Sequence, residues 1–571
     1  MLAPTTHIPQ RDWLWLALLL GTVLLAGIGL RDPWPADEPR FAQVAREMVE
    51  SGQWLFPMRG GELYPDKPPV FMWMIAGVFL ITGSLKIAFL LPSALSGIVT
   101  ALAVFDLTRR LHGRHAAWLA VFTLLFTFQF ILQAKTAQID ATVCMWITLG
   151  CCGVLRATLF PGQHRWWYAA CVFMALGIMT KGVGFLPLLL LVPYSFLLRS
   201  QSATHNIYRL TAGQWLIGVM LLLATLAMWL LPMIWTVEAS GNSAFVAYRD
   251  NILLKQTVTR YANAWHHIKP FWYYVTHVVP WAWLPVILLF PWLAGFWKDA
   301  FKLRRASVVM PLVFTVLTVL FFSISSGKRG VYILPALPML VIAAAPFLKS
   351  VYARTGVRRL LLLFTLLISS VMIVLGGLAL AGNGPLPALY IKHDVELTWW
   401  LIVTGAACAM AVLLTRRHSV AIWSAFSIVL WLSYSLWGAP SINVARTPHN
   451  IFEVAQRHLP GNAEVAVIDT KEQFILFNPF TVVHFGYHTP LSQQVQAAWQ
   501  WQSEATSGDA PRWILMPDSI TSSCLDTDDA IEAGKAHRER WLLLPPSARR
   551  PVCELTSPLP QTFRYQGQPF D

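Results

Sequence analysis

The sequence predicts a polytopic α-helical membrane protein that ends in a small α/β domain outside the membrane. Of its 571 residues, 56% are hydrophobic and 13% are charged, whereas soluble proteins carry about 25% charged residues. Apolar runs suited to membrane spans recur from residue 13 to residue 438. From residue 439 the chain becomes polar, with short strand-like runs and intervening helical stretches. We therefore divide the chain into a membrane domain, 1–438, and a tail domain, 439–571.

The apolar runs predict about thirteen transmembrane helices. A bilayer core of about 30 Å needs about 20 helical residues. We assign the spans to residues 13–30, 86–108, 116–133, 139–158, 166–180, 183–198, 214–236, 278–297, 306–325, 331–348, 357–380, 399–415 and 421–438. The short run 70–83 follows Pro68-Pro69, and if it lies along the membrane surface, every basic connection falls on the cytoplasmic side. The amino terminus is then cytoplasmic and the tail external.

The predicted topology explains why the chain is positively charged. The formal net charge is +14, but most basic residues lie in short loops between spans, as the positive-inside rule requires. We therefore expect no nucleic-acid partner. The first apolar run lacks a small-residue cleavage site, which indicates a retained span and not a cleaved signal peptide.

The tail carries four predicted strands and one predicted helix. The strands are placed at 463–468, 474–477, 481–485 and 513–516, and the helix at 492–500. Cys524 and Cys553 are the two cysteines outside the apolar runs. An external tail lies in an oxidising compartment, where such cysteines usually pair, so we expect a disulfide; two buried free thiols are the alternative.

Charged side chains converge on the outer face in this topology. The two large outer loops are 31–85 and 237–277, and shorter outer connections add further charges. The residues brought to this face are Asp37, Glu38, Lys67, Lys135, Asp140, Lys181, Arg260, His266, His267, Lys328 and Arg329. Ionisable groups near a membrane are costly and usually functional, so this face is the expected site.

Four short motifs in the first outer loop carry a family resemblance. They are Asp37-Glu38-Pro39-Arg40, Arg46-Glu47-Met48, Ser51-Gly52-Gln53-Trp54 and Tyr64-Pro65-Asp66-Lys67-Pro68. In order and spacing they resemble the first periplasmic loop of the polyprenyl-phosphate-sugar glycosyltransferases of the GT-C type. The undecaprenyl-phosphate aminoarabinose transferases that modify lipid A are the group most resembled, and the protein O-mannosyltransferases are wider relatives.

The resemblance implies roles for individual residues, each with a structural alternative. Asp37 matches the catalytic aspartate, and Asp140 a second acidic residue near the site; either could instead cap its helix. Glu38 would bind substrate, or pair with Arg40. The expected phosphate contacts, which could otherwise be lipid-headgroup or interface residues, are Lys67, Lys181, Arg260 and Tyr332.

The sequence leaves two alternatives for a cofactor. Asp37, Glu38 and His266 could ligate a divalent cation, or there is no cofactor. The sequence also departs from the aminoarabinose enzymes: Asp66 replaces a glutamate, and Arg329-Gly330 replaces Leu-Pro. In the second large loop, Leu-Lys-Gln-Thr replaces the sequence that carries Glu-His.

The sequence thus predicts a bacterial inner-membrane glycosyltransferase with a periplasmic tail domain. It would move a sugar from a polyprenyl-phosphate carrier to a lipid or glycan acceptor, with lipid A or lipopolysaccharide as the main expectation. A protein acceptor, as in protein O-mannosylation, is one alternative. A transporter or flippase is the other, although the chain shows no inverted repeat and its charges lie at one face instead of mid-bilayer.

Overall fold

The computed structural model describes residues 10–199, 207–253, 268–393, 395–506, 509–536, 539–555 and 558–567. The helices of the first part are α1 (Gln10–Leu25), α2 (Glu38–Ser51), α3 (Val70–Thr82), α4 (Leu85–Ala88), α5 (Leu91–His112), α6 (Arg114–Leu125), α7 (Phe128–Ala134), α8 (Ile139–Leu159), α9 (Arg165–Lys181), α10 (Leu191–Leu198), α11 (Ala212–Ser240) and α12 (Ser243–Asp250).

The second part contains the remaining helices and the sheet. The helices are α13 (Val279–Ala282), α14 (Val286–Lys302), α15 (Ala306–Ile324), α16 (Ala336–Tyr352), α17 (Thr355–Leu380), α18 (Pro385–His393), α19 (Thr398–Thr415), α20 (Ser419–Ser433), α21 (Ala439–Arg446), α22 (His449–His458), α23 (Glu472–Leu476) and α24 (Leu491–Ser503). The strands, of which the first two lie in the first outer loop, are β1 (Met58–Arg59), β2 (Glu62–Leu63), β3 (Glu464–Val467), β4 (Thr481–His484), β5 (Arg512–Pro517), β6 (Ile531–Ala536), β7 (Glu539–Leu544) and β8 (Phe563–Tyr565).

The chain is a multi-pass helical membrane protein. In the described ranges, eight helices are long and apolar enough to cross a membrane, or up to ten if two bent helix pairs each form one span. The count of thirteen stays a prediction. Helices α1, α9 and α10 have 16, 17 and 8 residues, fewer than the about 20 that a straight span needs. Hydropathy runs do not reveal such short and bent helices.

The run 70–83 forms α3, which has 13 residues. At 1.5 Å per residue it extends about 20 Å, less than the about 30 Å of a bilayer core. It ends at Gly83, whose φ of 66° turns the chain toward α4. Its Phe71 ring packs edge-on against Phe41 of α2, with 5.2 Å between ring centroids. This geometry favours the predicted position along the membrane surface.

A cysteine introduced at Ser84 tests that position. We expect it to react with a membrane-impermeant thiol reagent in cells with a permeabilised outer membrane, because residue 84 would lie outside. The unaltered chain is the control, since its free cysteines are buried: Cys144, Cys151, Cys152, Cys171 and Cys408. Reaction only after lysis of the inner membrane would mean that α3 crosses.

The tail forms a six-stranded mixed sheet in the order β6-β7-β5-β3-β4-β8. Strand β3 is parallel to both β4 and β5, while β6, β7 and β8 pair antiparallel. Successive residues of a strand point to opposite faces. Accordingly Val465 joins one hydrophobic core with Ile451 of α22, and Ala466 joins the other with Ala498 of α24. Both faces of the sheet are therefore covered by helix.

Three predicted tail strands and the predicted helix are present, and one strand is wrong. The run 474–477 forms part of α23, a short helix that caps one face of the sheet through buried Phe474 and Leu476. Its apolar residues are buried on a helix, and a short apolar run does not distinguish a buried strand from a buried helix. The predicted disulfide joins Cys524 and Cys553, whose Cα atoms are 4.7 Å apart and whose sequence separation is 29. Such a bridge contributes about 2–4 kcal/mol to stability.

The tail rests on the first outer loop. Tyr487 follows β4, and its backbone N–H donates to the side-chain oxygen Oε2 of Glu62 at 2.9 Å. Its hydroxyl donates to Gln43 Oε1 on α2 at 3.1 Å. The Tyr487 ring also lies against Arg59, whose guanidinium carbon is 4.2 Å from the ring centroid. The loop that carries the family motifs is thus held between the membrane helices and the sheet.

Candidate active site

Asp37 lies at the amino end of α2 but does not cap it. The residue occupies the N-cap position with helical dihedrals, φ −96° and ψ −35°, and its side chain makes no capping hydrogen bond. Instead, Arg329 Nη2 donates to Asp37 Oδ2 at 3.0 Å, and Arg40 Nη1 is 3.8 Å from Oδ1. The carboxylate is therefore directed toward cations of the outer face.

The charges around Asp37 keep it ionised. Burial raises the pKa of the Asp37 carboxyl, but the positive charges of Arg329, Arg40 and Lys67 outweigh burial and hold the pKa below its ordinary value. A carboxylate with a low pKa is negative at neutral pH. It can accept a hydrogen bond from an acceptor group and orient that group.

Asp140 and Lys181 form a second ion pair close by. Asp140 lies in the first turn of α8, where the N-cap residue is Gln138. Lys181 is the last residue of α9, and its Nζ donates to Asp140 Oδ1. The ammonium also lies 4.4 Å from the centroid of the Tyr332 ring. In this structure, therefore, Asp140 is not a cap and Lys181 pairs with protein groups.

The short segment 329–332 connects the two carboxylates. Arg329 pairs with Asp37, while Tyr332, within the 3-10 turn Gly330–Ile333, contacts Lys181. The structure thus brings together most of the residues that the sequence predicted; Lys67 is near enough to lower the pKa of Asp37. The grouped residues are Asp37, Lys67, Asp140, Lys181, Arg329 and Tyr332. Three of these grouped residues are cations and two are carboxylates. The cluster therefore carries a net positive charge, which suits an anionic ligand.

Glu38 has a different position. It is buried, and its two oxygens accept hydrogen bonds from both terminal nitrogens of Arg31, from the Trp34 N–H and from the Ala137 N–H. A carboxylate has about four lone-pair sites, so all are used. Glu38 pairs with Arg31 and not with Arg40, so its carboxylate fastens the loop in this structure. A contact between Glu38 and substrate stays a prediction.

The described residues do not fit a divalent cation at Asp37. Arg329 occupies one Asp37 oxygen, and the oxygens of Glu38 are saturated. Within the described ranges, no group of three or more His, Cys, Asp or Glu side chains could hold a metal ion. His266 and Arg260, predicted as cation ligand and phosphate contact, lie outside the described residues, as does the Leu-Lys-Gln-Thr departure at 254–257.

Two other outer-face lysines donate hydrogen bonds to backbone carbonyls outside the cluster. Lys135 Nζ donates to the Ala26 carbonyl at 2.9 Å, and Lys328 Nζ donates to the Lys269 carbonyl at 2.9 Å. Conversely, sequence reasoning placed Arg329 only among the outer-face charges, although it pairs directly with Asp37. The sequence did contain a signal for this pairing: Arg329-Gly330 replaces the Leu-Pro of the aminoarabinose enzymes and so adds a cation to that loop.

Arg329→Gln is expected to move the acid limb of activity to higher pH. Loss of the guanidinium removes the strongest charge that lowers the Asp37 pKa, whereas burial still raises it. The carboxylate form of Asp37 should therefore persist only at higher pH, and the measurement is the pH dependence of turnover. Arg457→Gln, which alters an exposed arginine of the tail, is the control. An unchanged acid limb in Arg329→Gln would mean that Asp37 does not set it.

Known proteins match this chain in both sequence and fold. The family model described as dolichyl-phosphate-mannose-protein mannosyltransferase matches residues 66–231. The crystal structure of ArnT from Cupriavidus metallidurans bound to undecaprenyl phosphate superposes with a TM-score of 0.70 at 18% identity, covering 95% of this chain and 100% of that one. The fold is thus that of a multi-pass helical membrane protein and is similar to the fold of that ArnT.

The sequence relatives are more specific. The undecaprenyl phosphate-alpha-4-amino-4-deoxy-L-arabinose arabinosyl transferase of Shewanella sediminis is 28% identical over 336 residues, or 57% of this chain and 58% of that protein. The undecaprenyl phosphate-alpha-4-amino-4-deoxy-L-arabinose arabinosyl transferase 1 of Pseudomonas fluorescens is 29% identical over 443 residues, which cover 75% of this chain and 75% of that protein. The predicted resemblance to GT-C polyprenyl-phosphate-sugar glycosyltransferases, and to this group among them, is confirmed.

Proposed function

We propose that the protein is a glycosyltransferase that moves a sugar from a polyprenyl-phosphate carrier to an acceptor on the outer face of the inner membrane. The donor would be undecaprenyl phosphate-linked aminoarabinose, as in the names of the relatives, and the acceptor lipid A. The observation that carries this proposal is the cluster in which Asp37 and Asp140 alternate with Arg329 and Lys181. In this topology the amino terminus is cytoplasmic and the tail domain, 439–571, periplasmic.

The cluster suits displacement at the sugar carbon that bears the phosphate. The bond between that carbon and the phosphate oxygen breaks, and its electron pair passes to the leaving phosphate. Lys67, Lys181 and Arg329 would stabilise the negative charge that develops there. Tyr332, beside Lys181, would contact the same phosphate.

The acceptor oxygen forms the new bond to the sugar carbon. If the acceptor is a hydroxyl group, the Asp37 carboxylate would accept its proton. If the acceptor is a phosphate, it is already an anion and needs no base, and Asp37 with Arg329 would then orient it. The polyprenyl chain would lie in an apolar groove between the spans.

Transfer by the purified full-length protein tests the proposal. We expect synthetic undecaprenyl phosphate-aminoarabinose and lipid A, incubated with the protein in detergent, to give lipid A with one added sugar by mass spectrometry. A parallel reaction supplies polyprenyl phosphate-mannose and a serine- and threonine-rich peptide. Sugar on the peptide alone would favour the protein O-mannosyltransferase alternative. Movement of the intact donor across vesicles without any transfer would favour the transporter and refute the enzyme.

A further inference from the structure

The carboxyl-terminal edge of the tail sheet is a place where α/β folds usually bind ligands. From β3 the chain passes through α23 to β4 on one side, and from β4 through α24 to β5 on the other side. The strand order therefore reverses at β3, and a crevice outside the carboxyl ends of strands forms at such a point. In this protein the crevice is occupied by the first outer loop of the membrane domain.

Glu472 is a charged group at this edge that contacts the first outer loop. It begins α23, shortly after β3, and only 5% of it is exposed. Its Oε1 accepts hydrogen bonds from Arg40 Nε at 2.9 Å and from Arg59 Nη1 at 3.4 Å. Burying a carboxylate costs its hydration, and the two guanidinium contacts offset that cost. Glu472 is therefore expected to keep both partners.

Arg40 lies between Glu472 and Asp37. It is one helical turn after Asp37 on α2, and its Nη1 is 3.8 Å from Asp37 Oδ1 while its Nε is hydrogen-bonded to Glu472. Two carboxylates thus compete for one guanidinium, and Glu472 has the shorter contact. Without Glu472, Coulomb attraction would draw Arg40 onto Asp37.

We propose that Glu472 of the tail is a positioning residue, which holds Arg40 away from Asp37 and so keeps the Asp37 carboxylate open toward the acceptor. This inference rests on the proposed function. The groups that face Asp37 are Arg329, Arg40 and Lys67. Those that face Glu472 are Arg40, Arg59 and the Tyr487 hydroxyl. The tail domain thereby controls the active site through one side chain.

Glu472→Gln in the full-length protein tests the proposal. We expect turnover to fall about 10-fold with an unchanged KM for the donor, because small misplacements of a reacting group have such effects. The double variant Glu472→Gln/Arg40→Gln should regain turnover, since the competing guanidinium is absent. Glu464→Gln is the matched control, because Glu464 is buried at the opposite end of β3 and is paired with Arg564. Recovery in the double variant separates positioning from a merely structural role.

A second readout does not require transfer. A water-soluble carbodiimide modifies protonated carboxyl groups, and peptide mass spectrometry gives the pH dependence of labelling at Asp37. We expect the labelling midpoint to move to lower pH in Glu472→Gln, and to stay unchanged in Glu464→Gln. If the unaltered protein transfers no sugar, the proposed function fails, while this shift would still support the position of Arg40. An unchanged midpoint in Glu472→Gln, or no recovery in the double variant, overturns the proposal.

Discussion

Asp37→Asn is expected to lower turnover about 10³-fold while leaving the protein folded in the membrane. The amide is nearly isosteric with the carboxylate but carries no charge and cannot accept a proton. It also loses the ionic contact with Arg329, which is 3.0 Å from Oδ2. The measurement is single-turnover transfer to lipid A by the purified variant, at saturating donor.

The control for this variant is Asp518→Asn. Asp518 is a tail aspartate whose partner, Arg540, is also in the tail, with 2.8 Å between the charged groups. It should transfer sugar at the rate of the unaltered protein. If Asp37→Asn also kept a near-normal rate, Asp37 would have no catalytic role, and the charge cluster would need another explanation, such as binding of lipid headgroups.

The sequence could predict the membrane fold because hydropathy is a local property. Runs such as 214–236 and 357–380 form long helices, α11 and α17, whose sequences are mainly apolar. Bends are set by packing, and the sequence did not show that α6 and α7 form an angle of 71°. In the tail, strands β6 and β7 were missed because their pattern is amphipathic and interrupted, as in the exposed Glu532 and Lys535 region.

The site was predictable in its members but not in their pairing. The topology predicted from the basic connections places Asp37, Asp140 and Lys181 on one face without knowledge of the detailed fold. Which cation meets which carboxylate depends on three-dimensional packing. Glu38 was expected to bind substrate or to pair with the nearby Arg40, yet Arg40 pairs with Glu472, which lies 432 residues further along the chain.

Arg31→Met is expected to destabilise the protein by about 3–5 kcal/mol, because it leaves a buried carboxylate without its counter-charge. The Arg31 and Glu38 side chains are 6% and 7% exposed. Arg31 Nη2 donates to Glu38 Oε1 at 2.7 Å, and Nη1 donates to Oε2. After substitution only the Trp34 and Ala137 N–H groups would remain for Glu38. Unfolding in mixed micelles with increasing SDS measures the loss.

Two comparisons make the result specific to the buried ion pair. The double variant Arg31→Met/Glu38→Gln should recover much of the lost stability, because an uncharged amide is far less costly to bury. Arg457→Met removes an exposed pair, in which Arg457 and Glu453 are 72% and 63% exposed, and should cost about 0–1 kcal/mol. Equal losses in Arg31→Met and Arg457→Met would show that Glu38 is solvated in the folded protein. Glu38 would then be free to bind substrate, as the sequence first suggested, instead of fastening the first outer loop to the connection between α7 and α8.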